Sequence, residues 1–178
     1  MIRVRVWCED RVQEYFVRHL LKKLGVDRKS LDMRVAPRGK GSAKRWVEAN
    51  VHEVVDQRAR TRHQNNLRFL MALDGDEEGH VSCIDRLSRE AAKLRGPEWT
   101  LTDEVLILCP TWSIETWIEW LRGVEVTEED QLKRGTDESE WIRRSDEAVA
   151  NWDVPRGDRP DPPSLAAGRK QLLRLLAV

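Results

Sequence analysis

The stretch LRFLMALDGDEEGH, residues 67–80, decides the fold that we expect for this chain. Residues 67–73 are apolar on both faces except at Arg68, which is typical of a central strand in a parallel sheet. Four carboxylates follow within five residues: Asp74, Asp76, Glu77 and Glu78. Because like charges at such short spacing repel each other, the cluster needs a cation or water between its members. The stretch therefore predicts a buried strand that ends in an acidic loop.

Alternating strand and helix patterns surround this segment. Strands are predicted at about 2–7, 31–36, 67–73 and 105–109, and helices at about 11–24, 43–58, 82–94, 114–121, 141–152 and 165–178. The order predicts an α/β, Rossmann-like fold, with a mostly parallel four-stranded sheet flanked by helices. We expect residues 1–123 to form this domain and residues 124–178 to form a charged, helical C-terminal extension that packs on it.

Composition narrows the class of protein. The 178 residues contain 31 Lys and Arg and 31 Asp and Glu, so the net charge alone does not predict a nucleic-acid or membrane partner. The three cysteines are far apart and form no CxxC motif, which argues against zinc and fits a reducing compartment. The start MIRVRVWCED lacks a signal-peptide pattern, and no run of about 18 apolar residues is present. We therefore expect a cytoplasmic protein with no membrane partner.

Polar side chains follow every predicted strand, at the sheet edge where α/β proteins place their sites. Glu9 and Asp10 follow the first strand, Asp74 and Asp76 follow the third, and Glu115 opens the helix after the fourth. The second strand leads to the basic residues Arg38, Lys40 and Lys44. Mg2+ takes oxygen ligands from one or two carboxylates and leaves positions for water and phosphate. The pattern predicts a Mg2+ (or Mn2+) site beside cations that contact the phosphates of nucleic acid.

Over residues 2–121 this arrangement resembles the TOPRIM domain of primases, topoisomerases and OLD-type nucleases. The resemblance rests on Glu9 in WCEDRVQE, on Asp74 and Asp76 in ALDGDEEG, and on Glu115 in CPTWSIETW. The CED-x-x-x-E spacing is similar to the E-G-x-x-E turn of that family, although one residue longer, and adds Glu14. Asp10 stands where the family has glycine, so the turn itself departs from the family pattern.

The resemblance implies a Mg2+-dependent nuclease or phosphoryl-transfer component that acts on nucleic acid. It implies that Glu9 is a metal ligand or general acid/base, that Asp74 and Asp76 are catalytic Mg2+ ligands, and that Glu115 binds a second metal. Members of such families often work with an ATPase partner or in bacterial defence against phage, which sets an expectation for this chain. Lys170 in GRKQLLRLL is an additional candidate phosphate contact, although a solvated helix lysine is the favoured interpretation.

Other interpretations stay open on the sequence alone. DGDEEGHVSCID, residues 74–85, matches the calcium-loop pattern, with Asp85 at position 12 in place of the bidentate Glu. The acidic loop is also compatible with a solvated turn without metal, and with a phospho-receiver that uses Asp74 as acceptor and Thr111 as switch. The alternative function, from another class, is a non-catalytic module that binds a partner or a metal (Ca2+ or Mg2+) through its acidic edge.

Overall fold

A four-stranded parallel sheet forms the centre of the molecule. The computed structural model describes residues 1–37, 43–97, 99–128, 130, 132, 137–154 and 157–176, with the backbone alone at 175 and 176. The strands are β1 (Arg3–Cys8), β2 (Leu31–Val35), β3 (Leu67–Ala72) and β4 (Leu106–Leu108). Their order is β2-β1-β3-β4, and every neighbouring pair is parallel. The predicted α/β class and the central position of residues 67–73 are confirmed.

Helices connect the strands and form the C-terminal part of the chain. They are α1 (Arg11–Lys23), α2 (Ala43–Ala49), α3 (Val51–Arg60), α4 (Gly79–Arg95), α5 (Leu101–Glu104), α6 (Ile114–Arg122), α7 (Glu138–Ala150) and α8 (Pro163–Leu176). Within the described ranges, none of these helices combines the length and the apolar character needed to cross a membrane.

Two apolar layers cover the two faces of the sheet. The first layer packs α1, α6, α7 and α8 on one face, and the second packs α2 to α5 on the other. Residues beyond position 123 belong to the first layer, namely Val126, Trp141, Ala148, Val149, Trp152, Leu165 and Leu172. Helix α7 contacts α1 and α6, and α8 contacts β4. The C-terminal extension therefore shares its core with the sheet.

The register aligns the exits of the strands. Cys8, the last residue of β1, lies opposite Val35 on one side and Ala72 on the other, and Ala72 lies opposite Leu108. Parallel strands that end at the same level deliver their following residues to one edge. The residues after Cys8, Ala72 and Leu108 therefore begin their loops side by side, which is the geometry that the acidic residues need to meet.

Two predicted helix boundaries are wrong for local reasons. The helix expected over 43–58 is interrupted at Asn50, whose side-chain amide donates to the carbonyl of Trp46 (2.7 Å) and competes with the helical hydrogen bonds. The helix expected from Ser82 begins at Gly79 instead, after a single 3-10 turn over Asp76–Glu78. Ser82 therefore lies inside α4 and does not cap it. The short helix α5 was not predicted.

Gly168 sets the distance between α8 and α6. A Cβ atom at this position would lie 2.6 Å from Cη2 of Trp117, whose ring is fully buried and whose indole N–H donates to Ser164 Oγ (2.9 Å). Only a glycine lets the backbone of α8 approach the ring so closely.

We expect Gly168→Val to destabilise the protein by about 1–3 kcal/mol, because the added side chain overpacks the contact with Trp117. The matched control is Ala167→Val, which places the same side chain on the exposed neighbouring position of α8. Thermal unfolding should show a Tm lower by about 4 °C or more for Gly168→Val than for the control. Equal Tm values would contradict the tight contact.

Candidate functional site: the acidic edge of the sheet

Glu9 and Asp74 lie side by side at the carboxyl ends of the neighbouring strands β1 and β3. Both are buried, with 8% and 5% of their surfaces exposed. The backbone N–H of Asp74 donates to Oε1 of Glu9 at 2.9 Å. Together with Asp10 and Asp76, which follow them in the chain, they form what we call the acidic edge. The prediction that these strand ends meet is confirmed.

Gln13 connects the backbone of Glu9 to the carboxylate of Asp74. Its side-chain Oε1 accepts from the backbone N–H of Glu9 (3.0 Å), and its Nε2 donates to Oδ1 of Asp74 (2.8 Å). Its own backbone N–H donates to Asp10, which caps the start of α1 (3.0 Å). Sequence analysis missed Gln13. The available signal was a polar residue at helical spacing from the buried Phe16 within α1.

Asp74 also anchors the start of α6. Its Oδ1 accepts a second hydrogen bond, from the backbone N–H of Ile114 (3.0 Å), the first residue of that helix. A negative charge at a helix start is favourable because it faces the positive end of the helix dipole. The contact links the carboxyl end of β3 to the loop that follows β4.

The loop after Asp74 packs against the loop after β4. The N–H of Gly75 donates to Pro110 O (3.0 Å), and the N–H of Asp76 donates to Trp112 O (3.0 Å). A Cβ at Gly75 would lie only 2.3 Å from Thr111 O, so the position requires glycine. Asp76 has a φ of 50°, a left-handed conformation that Asp tolerates better than most residues. The close packing fixes where the Asp76 side chain leaves the loop.

Lys44 places a positive charge on the acidic edge. Its Nζ donates to Asp76 Oδ2 (3.1 Å) and Gly75 O (3.2 Å) and lies 3.9 Å from Glu78 Oε2. Burial opposes the charged form of Lys44, but the hydrogen bond and charge of Asp76 outweigh it and raise the pKa of this lysine. Of the three predicted basic contacts, Lys44 is thus at the site. Arg38 and Lys40 lie outside the described residues.

Burial raises the pKa of Glu9 to about 8, and the nearby charges of Asp76 and Asp10 act in the same direction. The hydrogen bond from the N–H of Asp74 and the charge of Lys44 lower this pKa but do not compensate. Without a further cation, Glu9 is therefore largely protonated at neutral pH. Carboxyl groups with strongly perturbed pKa values are concentrated at functional sites.

The remaining predicted residues differ in their placement. Glu115 is fully buried in the first turn of α6, next to the residue that donates to Asp74. Glu14 forms an ion pair with Arg18 on α1. Lys170 is exposed on α8, and no contact joins it to the acidic edge among the described side chains. The structure thus brings Glu9, Asp10, Asp74 and Asp76 together and gives Glu14 and Lys170 other surroundings.

The donor set fits a sparsely coordinated Mg2+ better than a tightly caged metal. In the part of the chain that the structure describes, no group of three or more His, Cys, Asp or Glu side chains is placed to hold a metal ion. The predicted set of Glu9, Asp74, Asp76 and Glu115 is therefore not preassembled. Mg2+ commonly binds through one or two carboxylates and keeps several waters, and Glu9 with Asp74 meets that need.

Two of the alternative interpretations do not fit this geometry. A calcium loop needs an entering helix, whereas β3 enters here, and α4 already begins at Gly79, position 6 of the pattern. Asp85 consequently lies inside α4, and the calcium-loop interpretation is wrong. A phospho-receiver needs a lysine at the end of a fifth strand, whereas the described part of the chain forms a four-stranded sheet.

Comparison of the chain with protein-family models, with curated proteins and with solved structures finds no match. The TOPRIM resemblance consequently stays a prediction that rests on the residues of this chain.

We expect Glu9→Gln to stabilise the metal-free protein increasingly as the pH rises. The pKa of Glu9 is about 8 in the folded protein, against an ordinary value of 4.5. The stability that the bound proton contributes is therefore fully present below pH 4.5 and is lost as the pH rises to 8. In EDTA, the Tm of Glu9→Gln relative to the unsubstituted protein should increase by about 3 °C or more between pH 4.5 and 8.5. Glu77→Gln, an exposed position in the same loop, is the control and should show no such trend.

We expect Gln13→Leu to cost about 2 kcal/mol, because it leaves the N–H of Glu9 without its side-chain acceptor and removes the Gln13 donor from Asp74. The Tm should fall by about 4–8 °C. Gln13→Glu distinguishes the effect of hydrogen bonding from that of side-chain shape. The Glu side chain has nearly the size of Gln, but it can donate to Asp74 only when it is protonated. It should be more destabilising at pH 8 than at pH 4, and a pH-independent effect would contradict the assigned contacts.

Proposed function

We propose that the acidic edge is a Mg2+-dependent (or Mn2+-dependent) phosphoryl-transfer site that cleaves phosphodiester bonds in nucleic acid. The observation that carries the proposal is the burial of Glu9 and Asp74 in contact at adjacent strand ends, with the pKa of Glu9 raised to about 8. Burying two carboxyl groups at neighbouring strand ends is costly unless a proton or cation neutralises them. A divalent cation bound by both residues would offset this cost.

Each residue of the edge has a role in this proposal. Glu9 and Asp74 would hold the Mg2+, which supplies positive charge for the phosphate and lowers the pKa of bound water. The carboxylate of Asp76 is more than half exposed at the mouth of the edge, where it is accessible to water and ligand. Lys44 presents an ammonium group beside it, suited to a phosphate oxygen.

When it does not hold the metal, Glu9 has an alternative capacity that depends on its proton. A group with a pKa near the working pH can both donate and accept a proton, which is what general acid/base catalysis requires. The N–H of Asp74 orients this carboxyl group through a direct hydrogen bond, and Gln13 holds the backbone N–H of Glu9. The proposal needs neither Glu14 nor Glu115 as a ligand. The ATPase partner and the role in phage defence that the resemblance implies stay predictions.

A second candidate function is a non-catalytic module that binds a partner or a cation through the same edge. One observation favours it: within the described ranges, Asp76 is paired with Lys44 and no three acidic, His or Cys side chains converge on one metal position. In this case the acidic edge would serve recognition without cleavage.

The test is cleavage of labelled DNA and RNA, single- and double-stranded, with Mg2+, with Mn2+ and with EDTA. We expect Asp74→Asn and Glu9→Gln to reduce metal-dependent cleavage by about 100-fold or more. Asn at position 74 keeps the Oδ1 acceptor for Gln13 and Ile114, so this variant should still fold. Glu77→Gln is the control of equal charge change and should retain activity.

Calorimetric titration with Mn2+ distinguishes the two candidates. Cleavage that survives Asp74→Asn combined with Asp76→Asn would show that the nuclease proposal is wrong. Mn2+ binding that is lost in these variants, without cleavage by the unsubstituted protein, would support the binding module. No Mn2+ binding at all would contradict a metal site of either kind.

A further inference from the structure

A cavity lies at the end of the sheet opposite the acidic edge. It has a volume of about 480 Å3, which is within the range of small-ligand pockets. The elements that line it are the ends of α3 and α8, the short helix α5 and the first residues of β3 and β4. The lining residues include Arg58, Arg68, Phe69, Glu104 and Arg174. Phe69 precedes Asp74 by five residues, or about 16 Å along an extended strand, so the cavity is separate from the acidic edge.

Three guanidinium groups line this cavity, and they differ in how their charge is compensated. Arg58 pairs with Glu104 (2.9 Å), and the same carboxylate also pairs with Arg62 (2.7 Å). Arg68 donates to the carbonyls of Asn65 (2.6 Å) and Leu67 (3.4 Å). Glu104 is therefore already shared between two cations.

Arg174 comes from α8 and is held by neutral groups. Its guanidinium donates to the carbonyls of Thr102 and Asp103 and to the side chain of Gln171 (3.0 Å). Within the described residues, neither Arg174 nor Arg68 forms an ion pair with a carboxylate. The only other acidic residue of the lining is Asp103, which is exposed and takes part through its carbonyl. The cavity wall thus carries two positive charges without an anionic partner.

The remaining lining residues are Asn65 and three apolar residues. Phe69, Val105 and Leu106 are almost completely buried and form the floor of the cavity. A guanidinium presents its donors in a plane that matches a carboxylate or phosphate group, and one group can use two donors at once. A ligand with an anionic end and a small apolar body matches the guanidinium groups and this floor.

We propose that this cavity binds a small organic anion, a carboxylate or phosphate monoester on a flat apolar body. The anionic group lies between Arg68 and Arg174, and the body covers Phe69 and Leu106. Because Arg174 also ties α8 to α5, an occupied cavity connects the C-terminal helix to the start of β4. The proposal does not rest on the nuclease function, since no residue of the acidic edge lines the cavity.

The test uses calorimetric and NMR titration of the full chain with four probes: benzoate, phenyl phosphate, inorganic phosphate and benzyl alcohol. We expect benzoate or phenyl phosphate to bind, and the tighter of the two identifies the anionic group. Inorganic phosphate lacks the apolar body and benzyl alcohol lacks the charge, so both should bind at least about tenfold more weakly. Binding should weaken as salt is raised from low ionic strength.

Arg68→Met and Arg174→Met should each weaken binding by about tenfold or more, because each removes a charged donor pair. Arg60→Met is the matched control, since Arg60 is exposed at the end of α3 and does not line the cavity. If Arg174→Met loosens α8, then Arg68→Met on β3 decides the question by itself. The proposal would be overturned by unchanged affinity in Arg68→Met or by an equal loss of affinity in Arg60→Met. It would also be overturned if neither aryl anion binds at 10 mM, a limit of about 3 kcal/mol of binding free energy.

Discussion

The buried carboxylate of Asp74 is the contact on which the arrangement of the acidic edge depends. It follows the central strand β3, and its Oδ1 accepts from Gln13 on α1 and from the backbone of Ile114 on α6. Its own N–H donates to Glu9 after β1. One residue therefore joins two strands and two helices. A buried carboxylate is tolerated only when its hydrogen bonds are satisfied, which makes this network a structural requirement as well as a candidate site.

The same network has an electrostatic consequence. Burial raises the pKa of Glu9, the charges of Asp76 and Asp10 at the exits of the two neighbouring strands act in the same direction, and Lys44 offsets only part of the shift. A cation would stabilise the ionised form of Glu9, so cation binding and the protonation of this residue are linked. The structural and the proposed catalytic properties of the edge thus arise from one cause, the burial of acidic groups in contact.

Acidic and basic side chains are concentrated at opposite ends of the strands, although the net charge of the chain is zero. The chain has equal numbers of basic and acidic residues, yet the carboxyl edge collects carboxylates while the cavity at the amino edge collects arginines. Arg68 and Asp74 stand near the two ends of β3 and illustrate the separation within one segment. Local fields of this kind select ligands even when the total charge is zero. The acidic edge is therefore expected to attract a cation such as Mg2+, and the cavity an anionic group.

The sequence by itself determined the order of the four strands, the central strand at 67–73 and the position of Glu9 and Asp74 at strand ends. These features follow from local hydrophobic periodicity, which reports which face of an element is buried. Only the tertiary structure decided the role of Gln13, the pairing of Lys44 with Asp76 and the meeting of Arg68 with Arg174 in one cavity. Gln13 and Asp74 are 61 residues apart, and their contact depends on how α1 packs against the sheet. Periodicity carries no information about such distant pairs, because a hydrogen bond is set by the positions of two side chains after packing.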